Sequence, residues 1–187
     1  MAKKDLNFES TRAAIRETAA ALFTAGGIHS SSLADIAKAA KLSKGTLYYY
    51  YPSKEYLIAD IAENHLSRMT DLIFTWIDTL GREQDAKTAV GALLDALFQD
   101  PNAMRLHFVL QCEALREDES LKRRFAAKAR EWTVMLEVGS LKMSEPGAAR
   151  FRKLSRSFFA LLDGFGLHLL LGEDLDKEQL RSLLTEG

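Results

Sequence analysis

Cysteine is nearly absent: Cys112 is the single one in 187 residues. That excludes an intrachain disulfide and fits a reducing compartment, so a cytoplasmic location is expected. A lone thiol among apolar neighbours behaves as a small hydrophobe, and no redox role is assigned to Cys112. Long apolar runs are missing as well. The longest, Phe158 to Leu171, is interrupted by Asp163 and His168 and is too short to span a bilayer. The opening MAKKDLNFES carries two lysines with no apolar stretch behind them, so neither a signal peptide nor a membrane partner is expected. None of His29, His65, His107 and His168 has Glu three residues before it, which removes the Glu-x-x-His pairs of a helical-bundle metal enzyme. Gly-rich phosphate loops, paired-cysteine motifs and nucleophile elbows are lacking too. No enzyme, no metal site and no cofactor are therefore expected.

The composition is that of a globular chain, 47% hydrophobic and 27% charged. Its length suffices for one substantial core or for a small domain beside a larger one. The formal net charge of -1 hides a polarity along the chain. Residues 1–54 hold eight Lys and Arg against four Asp and Glu, whereas the remainder holds seventeen against twenty-two. A basic end beside an acidic body suits a protein that presents one face to a phosphate backbone.

The most informative segment is SKGTLYYYYPSKEYL, Ser43 to Leu57. Side chains on a helix point about 100° apart, so four consecutive tyrosines cannot all be buried. Upstream, Ser31 or Ser32 can cap a short helix, with Asp35 completing a capping box on Ser32. Leu33, Ile36, Ala37 and Ala40 then mark one apolar face. The pattern breaks at Lys41-Leu42, Ser43 caps the next helix, and Leu47 and Tyr51 fall four apart to face inward. Two short helices around a tight turn predict a helix-turn-helix. A helix from Thr11 to about Ala25 supplies the third wall through Ile15, Ala19, Leu22 and Phe23, and Gly26-Gly27 ends it.

With Ser43-Lys44-Gly45-Thr46-Leu47-Tyr48 and Ser53-Lys54 at these spacings, residues Thr11 to Leu57 closely resemble the DNA-binding domain of the TetR family of transcriptional regulators. The stretch departs from the family pattern twice, with Lys41 where Gly is usual and Tyr51 where Phe is usual. Lys41 must then adopt the left-handed conformation, and Tyr51 must find a partner for its hydroxyl. Thr46 and Tyr49 are the candidates for base contact, with Gly45 permitting close approach. Lys44 completes the groove-facing set with Tyr48. Tyr48, Tyr50, Lys54 and Ser32 are assigned to the phosphate backbone, and Ser31 is counted with them among the DNA-binding residues.

The rest of the chain reads as helix: Lys54 to about Leu80, Asp85 to Asp100, Asn102 to about Arg116, Ser120 to about Met143, Ala148 to Leu171 and Asp176 to about Thr185. The expected class is all-α, a three-helix head on a helical-bundle body, about nine helices in total. The domains are placed at 1–54 for DNA binding and 55–187 for ligand binding and dimerisation, sharing the helix that starts at Lys54. The segment FFALLDGFGLHLLLG is apolar nearly all round, which calls for burial on two sides. It resembles the part of TetR-like proteins that pairs into a homodimer, and Phe158, Leu162, Phe165 and Leu169 are assigned to that interface. A dimeric helix-turn-helix would read double-stranded DNA at a palindromic operator.

What the resemblance implies for the body is a pocket for a small-molecule effector of unknown identity, whose binding releases the DNA. Trp76, Phe98, Met104, His107, Phe108, Gln111, Trp132 and Met135 form a mixed lining of the kind such sites use, with His107 and Gln111 as the polar pair. Repression is the family default. The alternative is an architectural DNA-binding dimer with no effector.

Overall fold

The computed structural model describes residues 2–116 and 118–186, with side chains from residue 8 onward. Lys3 and Lys4, counted in the basic N-terminal charge, have side chains outside that range. Among the described residues the chain is all α, as expected, with nine α-helices, one short 3-10 turn and no strand. The helices are α1 (Ala2–Gly26), α2 (Leu33–Ala39), α3 (Lys44–Tyr50), α4 (Lys54–Thr79), α5 (Ala86–Phe98), α6 (Pro101–Arg116), α7 (Glu119–Ser140), α8 (Gly147–Leu170) and α9 (Lys177–Thr185), and the 3-10 turn is Ile28–Ser30. Several begin at side-chain caps. Asp85 accepts from the Thr88 amide at 2.8 Å, and Asp100 accepts from the Asn102 amide at 2.9 Å, next to Pro101 at the first position of α6. One boundary differs from expectation: α1 starts at Ala2 rather than near Thr11.

The chain groups into two compact units, Met1–His65 with Arg105–Leu121 and Leu66–Met104 with Lys122–Gly187. The functional boundary placed after Lys54 falls inside the first of these.

In the first unit α1 buries Ile15, Ala19 and Phe23 and packs on α2, which buries Leu33, Ile36 and Ala37 and packs in turn on α3 with its buried Leu47. Tyr51, Leu57, Ile58 and Ile61 close this core. Each such side chain contributes about 1.5–3 kcal/mol when taken fully out of water. At its edge Asp60 gathers three donors: Arg12 at 2.7 Å, Arg16 at 3.3 Å and the Tyr51 hydroxyl at 2.6 Å. Tyr51 is thus a core residue of the head, and Asp60 is the hydroxyl partner that replacing Phe by Tyr demands.

In the second unit α5 packs on α8 and α9, and α4 and α7 add Ile73, Trp76, Trp132 and Leu136 to a core with Val90, Leu93, Phe151, Phe158 and Leu184. Both indoles are satisfied internally: Trp76 donates to the Ala89 carbonyl at 2.8 Å and Trp132 to the Thr70 hydroxyl at 2.8 Å.

The facing of α8 corrects part of the dimer assignment. Phe158 and Leu162 are buried in the chain's own core, on the same helix face as Phe151 and Ser155. Phe165 is half-buried against Phe98, ring centroids 5.4 Å apart, and Leu169 is half-buried too. A segment apolar all round does not reveal which of its faces turns inward. The outward face carries Ala160, Gly164, Leu167 and Leu171. The two glycines divide accordingly. A Cβ on Gly166 would come within 2.9 Å of Met104 Sδ, so this glycine serves packing within the unit, whereas a Cβ on Gly164 would meet nothing within 4 Å. The exposed apolar side chains Val134 and Val138 of α7 and Leu141 just past its end recur at i, i+4 and i+7.

Candidate nucleic-acid interface

The helix-turn-helix is built from local chemistry the sequence carries. Ser32 caps α2 by accepting from the Asp35 amide at 3.2 Å, and Asp35 Oδ2 returns the bond to the Ser32 amide at 2.9 Å. Donation from the Ser32 hydroxyl, and then from its amide, holds the Asp35 carboxyl below its usual range. Lys41 makes the turn at φ 57, the left-handed conformation that the missing glycine forces on it. Amides of Ala40 and Leu42 close the end of α2 on the carbonyls of Ile36 and Ala37, each at 2.9 Å. Ser43 then caps α3, accepting from the Thr46 amide at 3.0 Å, with its hydroxyl 2.8 Å from that of Thr46.

These caps fix the rotation of α3. Leu47 is fully buried and Tyr51 follows it inward, so Lys44, Gly45, Tyr48 and Tyr49 turn out. Tyr49 is 73% exposed and Tyr48 50%. Thr46 is half-buried, its hydroxyl held by Ser43. A Cβ on Gly45 would meet only Ser43 Oγ, at 3.9 Å, so the backbone there is open to close approach. Tyr50 lies half-buried under Phe8 of α1, with centroids 4.6 Å apart.

Three residues assigned to DNA binding have employment inside the head. Lys54 Nζ donates to the carbonyls of Ile28 at 2.5 Å and Ser31 at 2.6 Å, and lies 5.7 Å from the Phe23 ring centroid. Ser31 is buried, and the Ser32 hydroxyl donates to Asp35 Oδ2 at 2.6 Å. Lys54 therefore ties the start of α4 to the turn before α2.

The residues assigned to an effector pocket divide between the two units. Trp76, Phe98, Met104, Trp132 and Met135 belong to the second unit, where both tryptophans and Met135 are core. His107, Phe108 and Gln111 belong to the first. There His107 Nδ1 lies 2.9 Å from His65 Nε2, and its Nε2 lies 2.9 Å from Gln111 Nε2. His65, assigned to no site in the sequence, follows Ile58 by seven and Ile61 by four and so shares their apolar face. The first unit also has a cleft of about 830 Å3 beside the 3-10 turn, lined in part by His29, Tyr56, Glu113 and Arg116. The second has one of about 520 Å3 around Gly81 and Lys142. Neither is lined by any of the eight pocket residues expected. Cys112 is free and exposed. No described helix is long and apolar enough to cross a membrane.

Residues 15–61 match the family described as bacterial regulatory proteins, tetR family. Two uncharacterised HTH-type transcriptional regulators of Bacillus subtilis (strain 168) are similar in sequence. YuxN is 38% identical over 87 residues, which cover 46% of this chain and 28% of that protein. YvdT is 31% identical over 109 residues, 58% of this chain and 55% of that one. The matches thus span about a quarter and about half of those relatives. Among solved structures, a transcriptional regulator of the TerR/AcrR family from Aquifex aeolicus VF5 superimposes with TM-score 0.62 at 21% identity, covering 95% of this chain and 96% of its own. The multidrug binding protein EbrR complexed with imidazole does so with TM-score 0.70 at 21% identity, covering 92% of each chain. The stretch that matches the tetR family thus holds the capped helix-turn-helix, and the all-helical fold of the chain is that of these solved regulators.

Proposed function

We propose that the chain is a dimeric repressor that reads a palindromic operator through α3 and is released by a small molecule bound in the helical body. The observation that carries the DNA-reading part is the rotation of α3: Leu47 and Tyr51 are buried while Lys44, Gly45, Tyr48 and Tyr49 form an outward surface. On this reading Tyr49 and Thr46 touch base edges, Lys44 and Tyr48 touch phosphates, and Gly45 lets the backbone approach. Base contacts specify and phosphate contacts position. The occupied ammonium of Lys54 gives it a supporting role, so Lys44 is left as the principal phosphate cation of the segment.

Two copies make the reader symmetric. The outward stripes Val134-Val138-Leu141 along α7 and its end and Ala160-Gly164-Leu167-Leu171 along α8 and its cap supply the apolar surface for a homodimer, with Gly164 allowing close approach. Two helix-turn-helices about a two-fold axis read half-sites one helical turn apart or a multiple of it.

For the effector, EbrR was solved with a small molecule bound, and His107 with Gln111 offers this chain a polar anchor in the first unit. An effector acts only by binding the released arrangement more tightly than the DNA-bound one. The second reading, an architectural dimer without effector, draws on Trp76, Trp132 and Met135 being core. One titration separates the two. Fluorescence anisotropy on a selected operator, repeated against a panel of small organic cations and acids, reveals a compound that weakens operator binding if the chain is a regulated repressor. A panel in which compounds bind the chain and leave operator affinity unchanged would overturn effector release.

A further inference from the structure

We infer that Phe8 is a positioning residue for base readout: it braces Tyr49 from α1, so that residue 8 helps set which sequences α3 prefers. The inference rests on the reading of α3 as the DNA-reading helix. Three rings form one cluster. Phe8 lies over Tyr50 at 4.6 Å with an interplanar angle of 32°, and edge-on to Tyr49 at 6.1 Å and 85°. Tyr49 and Tyr50 meet edge-on at 5.4 Å and 86°. Offset and edge-to-face pairs are the favoured geometries of aromatic rings. Phe8 precedes Ile15 by seven residues, two helical turns, so the α1 face that buries Ile15, Ala19 and Phe23 continues past the core to the tyrosines of α3. Phe8 also lies upstream of residues 15–61, so it is a feature of this chain beyond the matched stretch.

The consequence is for specificity. Tyr49 is 73% exposed, and an exposed ring exchanges among its staggered rotamers unless neighbours hold it. A ring held in advance by Phe8 and Tyr50 loses less freedom on meeting its base. A ring released from that brace can adapt to several base steps and tells them apart less well. Phe8 itself touches no base; it acts through Tyr49.

The test uses the full chain and an operator recovered from a randomised duplex pool. Dissociation constants are measured on that operator and on each of its single-base variants for wild type, Phe8→Ala, Phe8→Leu, Tyr49→Ala and the Phe8→Ala/Tyr49→Ala double variant. Circular dichroism checks that each is folded. Phe8→Ala is expected to lower discrimination about three- to tenfold, only at the base pairs where Tyr49→Ala lowers it, with non-specific affinity and salt slope unchanged. The double variant is expected to discriminate no worse than Tyr49→Ala. Phe8→Leu keeps the apolar bulk without the ring, carries the test if the alanine variant is unfolded, and is expected to fall between wild type and Tyr49→Ala. Unchanged discrimination in a folded Phe8 variant, or a loss spread evenly over all sequences, overturns the inference alone. A wild-type chain that recovers no sequence overturns the DNA-reading proposal and this inference with it.

Discussion

Replacing Tyr51 by Phe tests the packing of the head with one atom. The hydroxyl donates to Asp60 at 2.6 Å from a ring that is 2% exposed. A hydrogen bond to a charged group contributes about 1.5–3 kcal/mol net. Asp60 keeps Arg12 and Arg16 in the variant, so its carboxylate is not orphaned and the lower end, about 1.5 kcal/mol, is expected. For a chain of this size that lowers the thermal midpoint by about 3–6 °C. The alkaline limb carries a second signature. Burial, and then donation to Asp60, push the Tyr51 phenol up to about 12, whereas an unfolded tyrosine titrates near 10 (about 10). Between those values the unfolded state binds fewer protons than the folded one, so stability is fully present below about pH 10 and falls as pH rises toward 12, by about 2–3 kcal/mol in all. Tyr51→Phe lacks this loss. Urea unfolding followed by circular dichroism should show the wild type ahead at pH 8, with the gap closing and then reversing as pH rises toward 12. Equal stability at pH 8, or a gap that stays constant to pH 12, would refute the reasoning.

Lys54→Ala removes the one ammonium that donates to the carbonyls of both Ile28 and Ser31 and should destabilise the head by about 2 kcal/mol. Lys44→Ala should leave stability alone and flatten the salt dependence of DNA binding by about one unit of slope; a salt series that finds the opposite assignment would reverse these roles. Lys41→Gly relieves the left-handed φ of 57 and should raise the urea midpoint by the equivalent of about 1 kcal/mol, an unchanged or lower midpoint counting against it. Phe158→Ala should cost the body about 3–5 kcal/mol by opening a core cavity. Leu167→Arg should leave the fold intact and yield monomers in sedimentation velocity, and a stable dimer there would refute the outward stripe as the interface.

What was legible in the sequence had local causes. Ser32 with Asp35, Ser43 with Thr46, and Lys41 in place of glycine each act within three or four residues, and the spacing of Leu47 and Tyr51 fixed which face of α3 points in. What was hidden depends on partners far along the chain. Lys54 reads as a phosphate cation until its ammonium is found on carbonyls 23 and 26 residues away. Phe8 reads as a stray apolar residue until α1 is seen to start at Ala2 and reach the tyrosines. In α8 Phe158 and Leu162 could not be told from Leu167 and Leu171 by hydrophobicity, because only the packing of Phe151, Phe158 and Leu162 in the core decides the inward face. His65 and His107 are 42 residues apart, and no periodicity links them.

The central claim, paired reading of DNA by α3, is tested most directly by selecting bound duplexes from a random pool with the full chain. The account predicts enrichment of a two-fold symmetric sequence whose half-sites lie one helical turn apart or a multiple of it, about 10–10.5 base pairs per turn, and loss of that preference in Tyr49→Ala. Recovery of no sequence, or of a single half-site without its symmetric partner, would contradict it.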